Sequence, residues 1–114
     1  MSGDPDLETV AGLLDDEYAR AILTATSRTP MSAKRLSEQC GASKPTIYRR
    51  IERLEEVGLL VERTRPDPDG HHYSVYAANL RRLTVELVDG EFHLRVERRD
   101  EDAADRLTSM WEEL

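Results

Sequence analysis

Residues 32–58 read SAKRLSEQCGASKPTIYRRIERLEEVG, and this stretch predicts two short helices joined by a tight turn. Ser32 and Ser43 stand where N-cap residues belong, one before each apolar helical pattern. Gly41 follows the first pattern and Gly58 follows the second, where a residue that tolerates positive φ commonly ends a helix. Because so few residues separate the two helices, the second must cross the first at a steep angle.

Both predicted helices have the apolar spacing of an amphipathic helix. In the first, Leu36 and Cys40 lie four residues apart. In the second, Ile47, Ile51 and Leu54 fall on one side, and basic residues fall on the other. We therefore expect one face of each helix to be buried and the opposite face to be open to solvent.

A further amphipathic helix is predicted upstream, over residues 7–25. Its apolar positions recur at intervals of three and four residues, as expected for one continuous helix. These positions are Leu7, Val10, Ala11, Leu14, Tyr18, Ile22 and Ala25. Thr29-Pro30 interrupts this region, because the residue before a proline is disfavoured in helical geometry.

Downstream of Gly58 the apolar period changes to two, which predicts two β-hairpins. Residues 59–65 and 71–76 flank a turn rich in Pro, Asp and Gly, so they form the first hairpin. Asp89-Gly90 predicts a type I′ turn in the second hairpin. Counting outward from this turn gives apolar pairs on one face and polar pairs on the other. The pairs are Leu87 with Phe92, Val85 with Leu94, Leu83 with Val96, Glu86 with His93, and Thr84 with Arg95.

The last predicted element is a helix from Asp100 to Leu114. Acidic residues fill its first turn, which suits the helix dipole. Its apolar stripe consists of Leu107, Met110, Trp111 and Leu114. The predicted order is therefore three helices, two hairpins and a terminal helix, an α+β fold.

The order of helix, helix, tight turn, helix and hairpin resembles a winged helix-turn-helix domain, and the motifs resemble those of ArsR-like transcription regulators. The matching residues are Ser32, Leu36, Ser37, Ser43, Thr46, Ile47, Arg49, Ile51, Leu54, Gly58, Leu59 and Leu60. The sequence DGHHY at residues 69–73, with the terminal aromatic helix, resembles small haloarchaeal regulators of this type. The resemblance implies a DNA-binding domain at residues 1–80. Residues 81–114 would then be a hairpin and helix that pack on this domain or form a dimer interface.

The charge distribution supports a local nucleic-acid surface in a chain whose average charge argues against one. The formal net charge is −7. Residues 1–27 carry −5 and residues 66–114 carry −6, whereas residues 28–65 carry +4. Positive charge is therefore concentrated in the segment that resembles a DNA-binding domain. The bases are 14 Arg and two Lys, and an acidic, Lys-poor surface is one that we associate with salt-adapted organisms.

The candidate DNA-binding residues come from the helical pair and the first hairpin. Arg49 is the strongest candidate for a base contact, because a guanidinium can bond guanine O6 and N7 together. Thr46 and Tyr48 suit a thymine methyl group or a phosphate, and the remaining bases suit the phosphate backbone. Asp67 and Asp69 depart from the pattern, since acids at a wing tip repel DNA. The full predicted set is Lys34, Arg35, Ser43, Lys44, Pro45, Thr46, Tyr48, Arg49, Arg50, Arg53, Arg63, Arg65 and His71.

A small chain with a modest core and two apolar terminal stripes predicts a homodimer. The dimer would place two recognition helices roughly 34 Å apart on a palindromic double-stranded DNA operator. The resemblance implies repression by steric occlusion. Either stripe has an ordinary alternative as intrachain core. The candidate interface residues are Leu7, Val10, Leu14, Tyr18, Leu107, Met110, Trp111 and Leu114.

Other classes of function have weaker support. A single cysteine, Cys40, fits a reducing cytoplasm, and the acidic start of the chain is unlike a signal peptide. No apolar run reaches the roughly 20 residues that a membrane helix needs. We expect no enzyme activity and no cofactor, because the sequence has no credible nucleophile–base or paired-carboxylate arrangement. We expect no metal site, because adjacent His71 and His72 would point to opposite faces of a strand. Two alternatives stay open: an adaptor that binds a protein through the second hairpin and final helix, and a redox or ligand sensor that uses Cys40 or a dimer cleft.

Overall fold

The structure is a computed structural model, which describes residues 5–99. Four helices precede two antiparallel hairpins, so this part of the chain has an α+β architecture. The helices are α1 (Leu7–Asp15), α2 (Glu17–Arg28), α3 (Ala33–Cys40) and α4 (Lys44–Glu56). The strands are β1 (Leu60–Pro66), β2 (His72–Ala78), β3 (Leu80–Val88) and β4 (Glu91–Arg98).

The prediction of one continuous helix over residues 7–25 is wrong, because the chain breaks at Asp16. This residue is extended, with ψ 122°, and its side chain accepts a hydrogen bond of 2.9 Å from the Ala19 amide. Asp16 therefore ends α1 and is the N-cap of α2. Aspartate favours such a position because its carboxylate replaces a missing intrahelical acceptor. The apolar spacing conceals the break, since Leu14 and Tyr18 stay four residues apart across it.

The two helices and tight turn predicted from residues 32–58 are confirmed. The Ser32 and Ser43 hydroxyls accept hydrogen bonds from the amides of Arg35 and Thr46 and so cap α3 and α4. Gly41 has φ 65° and ψ 33°, the left-handed conformation that ends α3.

The core lies between α2, α3 and α4 and the bases of both hairpins. Its innermost side chains have at most 2% of their surface exposed. They include Ile22, Leu36, Ile47, Ile51, Leu54, Leu59 and Leu60. A single bridge ties the first hairpin to the segment before α3, with the Met31 amide donating to Tyr76 and the Tyr76 amide donating back. Because Ile47, Ile51 and Leu54 are among the innermost side chains, the predicted apolar face of α4 is the buried face.

The register predicted for the second hairpin is confirmed pair by pair. Asp89 and Gly90 have φ values of 51° and 80°, the positive values that a type I′ turn requires. Val96 is buried, and Leu83 and Leu94 pack partly buried against the core. Farther from the base, the apolar face extends past the core into solvent.

One residue, Asn79, joins the two hairpins. Its amide donates to the Leu59 carbonyl at 2.9 Å, and its side-chain amide donates to the Gly58 carbonyl at 3.2 Å. Arg98, at the end of β4, donates to the carbonyls of Val57 at 3.0 Å and Gly58 at 3.2 Å. The base of the second hairpin is thus bonded to the C-terminal end of α4.

The predicted terminal helix, with Leu107, Met110, Trp111 and Leu114, lies outside the described residues. Within residues 5–99, none of the helices combines the length and apolar character that a membrane crossing requires.

Candidate nucleic-acid interface

The outward face of α4 is basic in its N-terminal half. Lys44, Pro45 and Arg49 are exposed, and Arg53 is exposed one turn farther along. These residues point away from the buried side of the helix, as the 100° step per residue predicts. The same face becomes acidic toward the C-terminus at Glu52 and Glu56. A polyanion is therefore attracted to the N-terminal half, where the helix dipole is also positive.

The N-terminal turn of α4 carries two hydroxyl groups that hold each other in place. Ser43 Oγ donates to Thr46 Oγ1 at 3.0 Å, and the Thr46 amide donates to Ser43 Oγ at 3.4 Å. Because Thr46 Oγ1 accepts this bond, its own proton can be donated outward to a phosphate or a base edge. Thr46 is half-buried, so its position is set by the capping geometry.

The first turn of α3 places two further predicted residues in solvent. Lys34 and Arg35 are exposed, whereas Ala33 and Leu36 between the helices are buried. Ala33 and Leu36 belong to the same core cluster as the apolar face of α4. Lys34 and Arg35 therefore lie on the solvent side of the first turn of α3, whereas the last turn of α3 adjoins the start of α4.

The β1–β2 hairpin, hereafter the wing, exposes Arg63 and Arg65 on one face. Its tip is ordered by Asp67, whose carboxylate accepts a hydrogen bond of 3.1 Å from the Asp69 amide and whose carbonyl accepts from Gly70 at 2.9 Å. Asp67 therefore shapes the tip. The exposed His71 ring lies 3.3 Å, through Nδ1, from the Asp69 carbonyl oxygen. Asp69 is the more exposed of the two acids at the tip, so its charge repels a polyanion there.

Arg50 differs from the other predicted DNA-binding residues because it faces inward to α2. Its Nε and Nη2 donate to the two carboxylate oxygens of Asp16 at 2.9 and 3.2 Å. Its guanidinium also lies 5.6 Å from the centre of the Tyr18 ring. The structure thus separates Arg50 from the exposed group of Lys44, Arg49 and Arg53.

Comparison with known protein families gives one result for this part of the chain. A family model matches residues 14–63, from the end of α1 through α4 into β1. The matching model is a helix-turn-helix domain. A search of curated proteins finds no match. The helix-turn-helix segment contains most of the predicted DNA-binding residues, whereas β2 and the second hairpin lie beyond it.

The predicted dimer residues of α1 and α2 have mixed surroundings. Val10 is 2% exposed, so the chain itself buries it. Leu14 is half-buried and packs against the core of the helix-turn-helix segment. Leu7 is half-buried, and Tyr18 lies against Arg50. Most of this stripe is therefore in intrachain packing.

An acidic and phenolic cluster between α4 and the first hairpin escapes notice in the sequence. Tyr76 of β2 lies near Glu62 of β1, Tyr48 and Glu55, and burial followed by the Glu62 charge raises the pKa of Tyr76 to about 12. Burial and the charge of Glu62 also raise the pKa of Glu55. The other three members precede Tyr76 by 14 to 28 residues, so the sequence does not reveal the grouping. Only the pairing of Glu62 with Tyr76 follows from the hairpin register.

The remaining chemical candidates are weak sites. Cys40 is half-buried, and burial raises the pKa of its thiol, so the protonated form predominates at neutral pH. Among residues 5–99, the structure groups no three His, Cys, Asp or Glu side chains as metal ligands.

Proposed function

We propose that this protein is a sequence-specific DNA-binding transcription regulator that reads the major groove with α4. The observation that carries the proposal is the exposed basic N-terminal half of α4, presented by a helix-turn-helix segment. Helices in this arrangement present their N-terminal residues to base edges. The acidic C-terminal half of the same face favours this orientation of the helix against a polyanion.

The proposed contacts divide into reading and positioning groups. Arg49 reads a guanine, and Thr46 and Tyr48 contact a thymine methyl group or a phosphate. Lys44 and Arg53 bind phosphates on α4, and Lys34 and Arg35 bind them from α3. Ser43 and Pro45 shape the first turn of α4. The wing residues Arg63, Arg65 and His71 approach the neighbouring minor groove or its backbone.

We further propose that the regulator is an ArsR-like homodimer that acts on a palindromic operator. Repression by occlusion of a promoter is the mode of action that the resemblance to ArsR-like regulators implies. The net charge of −7 and the excess of Arg over Lys support a salt-adapted cytoplasm of the haloarchaeal type. This setting would make the specific contacts more important, because counterion release contributes less to binding at high salt.

A second candidate function is an adaptor that binds another protein. The exposed apolar tip of the second hairpin favours it, since contiguous apolar surface commonly marks a protein contact. The thiol sensor has less support, because the half-buried Cys40 is protonated at neutral pH.

Selection of binding sites from randomised duplex DNA, followed by affinity measurements, tests the DNA-binding function. An enriched motif is expected for the wild-type chain. Arg49→Ala should weaken binding to that motif by about 1–3 kcal/mol and relax the preference at one base pair. Lys44→Ala should instead weaken binding to all sequences by a similar factor, because a phosphate contact carries no sequence information.

Arg95→Ala is the matched control, since it removes one exposed arginine from the second hairpin. It should leave the selected motif and its affinity unchanged. Failure to enrich any motif at several salt concentrations would favour the adaptor. An Arg49→Ala variant with unchanged preference would remove Arg49 from the base readout.

A further inference from the structure

Arg50 lies in sequence between two arginines of the proposed DNA surface, yet its own side chain is paired within the protein. Arg49 and Arg53 are exposed on α4. Arg50 instead reaches the start of α2, where the Asp16 carboxylate accepts from its Nε at 2.9 Å and from its Nη2 at 3.2 Å. The side chains of both partners are still 26% exposed. The ion pair therefore lies at the border of the protein surface, close to solvent.

We propose that Asp16 limits binding to DNA of unrelated sequence by holding the Arg50 guanidinium away from the phosphate backbone. This inference rests on the proposed function, in which α4 meets the major groove. A free arginine beside the reading surface adds a phosphate contact, and such a contact carries no sequence information. Asp16 engages two donors of Arg50 and prevents that contact. Because it acts through Arg50, Asp16 is a positioning residue for DNA specificity.

The place of Arg50 on α4 explains why its release would matter. Arg50 follows Thr46 by four residues, so the two lie on the same side of the helix, one turn apart. Side chains on a helix lean toward its N-terminus. The N-terminal half of α4 is the part proposed to meet DNA. An unpaired Arg50 side chain would therefore extend past Thr46 toward the DNA.

The surroundings of the ion pair make it a durable contact. Asp16 is itself fixed, because it caps α2 by accepting from the Ala19 amide at 2.9 Å. The Arg50 guanidinium also lies 5.6 Å from the centre of the Tyr18 ring, within cation–π range. A half-buried pair is screened by salt less than an exposed contact between arginine and phosphate. The ion pair should therefore persist at salt concentrations that weaken phosphate binding.

The charge of Asp16 also acts on its exposed neighbour. The pKa of the Asp16 carboxyl is lowered first by the hydrogen bond from Arg50 and further by the charges of Arg50 and Arg53. The carboxylate is therefore ionised at neutral pH. Arg53 is within electrostatic range of it, which places Asp16 at the edge of the proposed DNA surface.

Affinities of the full-length wild type and Asp16→Asn, for random-sequence duplex and for the selected motif, test the inference over a series of KCl concentrations. Asparagine remains a good N-cap but lacks the charge that pairs with Arg50. At low salt the variant should bind random duplex about three- to fivefold more tightly, the effect of one added exposed ion pair. Its plot of log K against log salt should be steeper by about 0.9.

The gain should be smaller on the selected motif. There the base contact of Arg49 fixes the place of α4, so an unpaired Arg50 has less freedom to find a phosphate. The ratio of specific to nonspecific affinity should therefore fall in Asp16→Asn.

Two comparisons show whether Arg50 carries the effect. Asp15→Asn is the matched control, since it removes an acidic charge from the adjacent exposed position and leaves the ion pair intact. It should change the affinity for random duplex by less than about twofold and leave the salt slope as it is. Asp16→Asn added to Arg50→Gln should likewise have an effect of less than about twofold, because no guanidinium is left to release.

A purely structural role for the ion pair gives the opposite sign. Loss of folded protein lowers the affinity for both kinds of DNA, whereas release of Arg50 raises the affinity for random duplex. Circular dichroism at the assay temperature gives the folded fraction by which each affinity is corrected.

Either of two results overturns the inference. In one, Asp16→Asn binds random duplex no more tightly than the wild type does. In the other, the substitution has the same effect with and without Arg50, so that it acts only as the loss of a negative charge. A wild-type chain that selects a motif keeps the proposed function in both cases. A wild-type chain that selects no motif overturns the proposed function, and the role of Asp16 in specificity falls with it.

Discussion

At the scale of single residues, Asp16 links the break between α1 and α2 to the position of α4. Its carboxylate caps α2 through the Ala19 amide and forms both hydrogen bonds of the ion pair with Arg50. The hydrogen bond from Arg50 holds the pKa of Asp16 below its ordinary value of 3.8. The Arg50 guanidinium, with its pKa raised by the same contact, remains charged. One short side chain therefore sets the position of α4 against α2.

Asp16→Asn should lower the free energy of unfolding by about 1–2 kcal/mol at neutral pH, because it removes a half-buried ion pair with Arg50 while an equally good N-cap residue is kept. The folded-state pKa of Asp16 is lowered, so its stabilisation is present above 3.8 and is lost as the pH falls through the folded-state value. Urea unfolding of variant and wild type should thus give a difference at neutral pH that shrinks below pH 3.8.

Asp15→Asn is the control for this prediction. Asp15 is the adjacent exposed acid, at the C-terminal end of α1, where a negative charge opposes the helix dipole. Its replacement should leave stability unchanged or raise it slightly. A difference between wild type and Asp16→Asn that is independent of pH would show that the carboxylate charge is unimportant.

At the scale of elements, α4 is held at both ends by residues from distant parts of the chain. Arg50 bonds to Asp16 across 34 residues, and Arg98 bonds to Val57 and Gly58 across about 40. Gly58, with φ 74°, accommodates Arg98 because a Cβ there would lie 2.6 Å from Arg98 Nε. The carbonyls of Leu54 and Glu55 accept from the backbone amides of Leu59 and Gly58, and the second hairpin is bonded to the turn that follows.

Arg98→Ala should destabilise the fold by about 1–2 kcal/mol, because the Val57 and Gly58 carbonyls after α4 lose a charged donor. Thermal or urea unfolding measures this loss. Hydrogen exchange of the last-turn amides of α4 should also be faster in the variant than in the wild type. Arg95→Ala, on the exposed polar face of the same strand, should change neither quantity. Wild-type exchange rates in Arg98→Ala would mean that Arg98 does not stabilise the end of α4.

Elements defined by local chemistry could be predicted from the sequence, and long-range contacts could not. The serine caps, Gly41 and the Asp89-Gly90 turn act on neighbouring backbone, so α3, α4 and the second register follow from them. The break at Asp16 was missed because the apolar period continues across it. Arg49 and Arg50 are alike in sequence, and only tertiary packing turns Arg50 toward Asp16. The hydrogen bonds from Arg98 and Asn79 to the Gly58 carbonyl depend on how the hairpins fold back toward the end of α4.

At the scale of the whole molecule, charge separates the protein into unlike surfaces. The segment of residues 28–65 is basic within a chain of net charge −7. Acidic residues adjoin the proposed DNA surface at Glu52 and Glu56, and Glu55 and Glu62 lie behind it. DNA approaching α4 therefore meets attraction and repulsion within one helix.

The affinity for DNA should depend on salt less steeply than the number of basic contacts suggests. Each phosphate contact ordinarily contributes a slope of about −0.9 in a plot of log K against log salt. Cations released from DNA would be partly offset by cations retained between DNA and Glu52 or Glu56. Titrations over a series of KCl concentrations measure the slope. Glu52→Gln should make it steeper, whereas Glu17→Gln, an exposed change on α2, should not. A wild-type slope of about −0.9 for every phosphate contact would show that Glu52 and Glu56 retain no cations.

The single residue between β2 and β3, Asn79, fixes which way the second hairpin faces relative to the first. Successive residues of a strand point to opposite sides, so one added residue at this junction would turn Val85, Leu87 and Phe92 to the other side of the second hairpin. A length change at the Asp89-Gly90 turn would shift the register between β3 and β4, because the length of a hairpin turn fixes that register. Among related chains, insertions and deletions should therefore accumulate at residues 67–71, while the spacing at position 79 and the two-residue turn at 89–90 are kept.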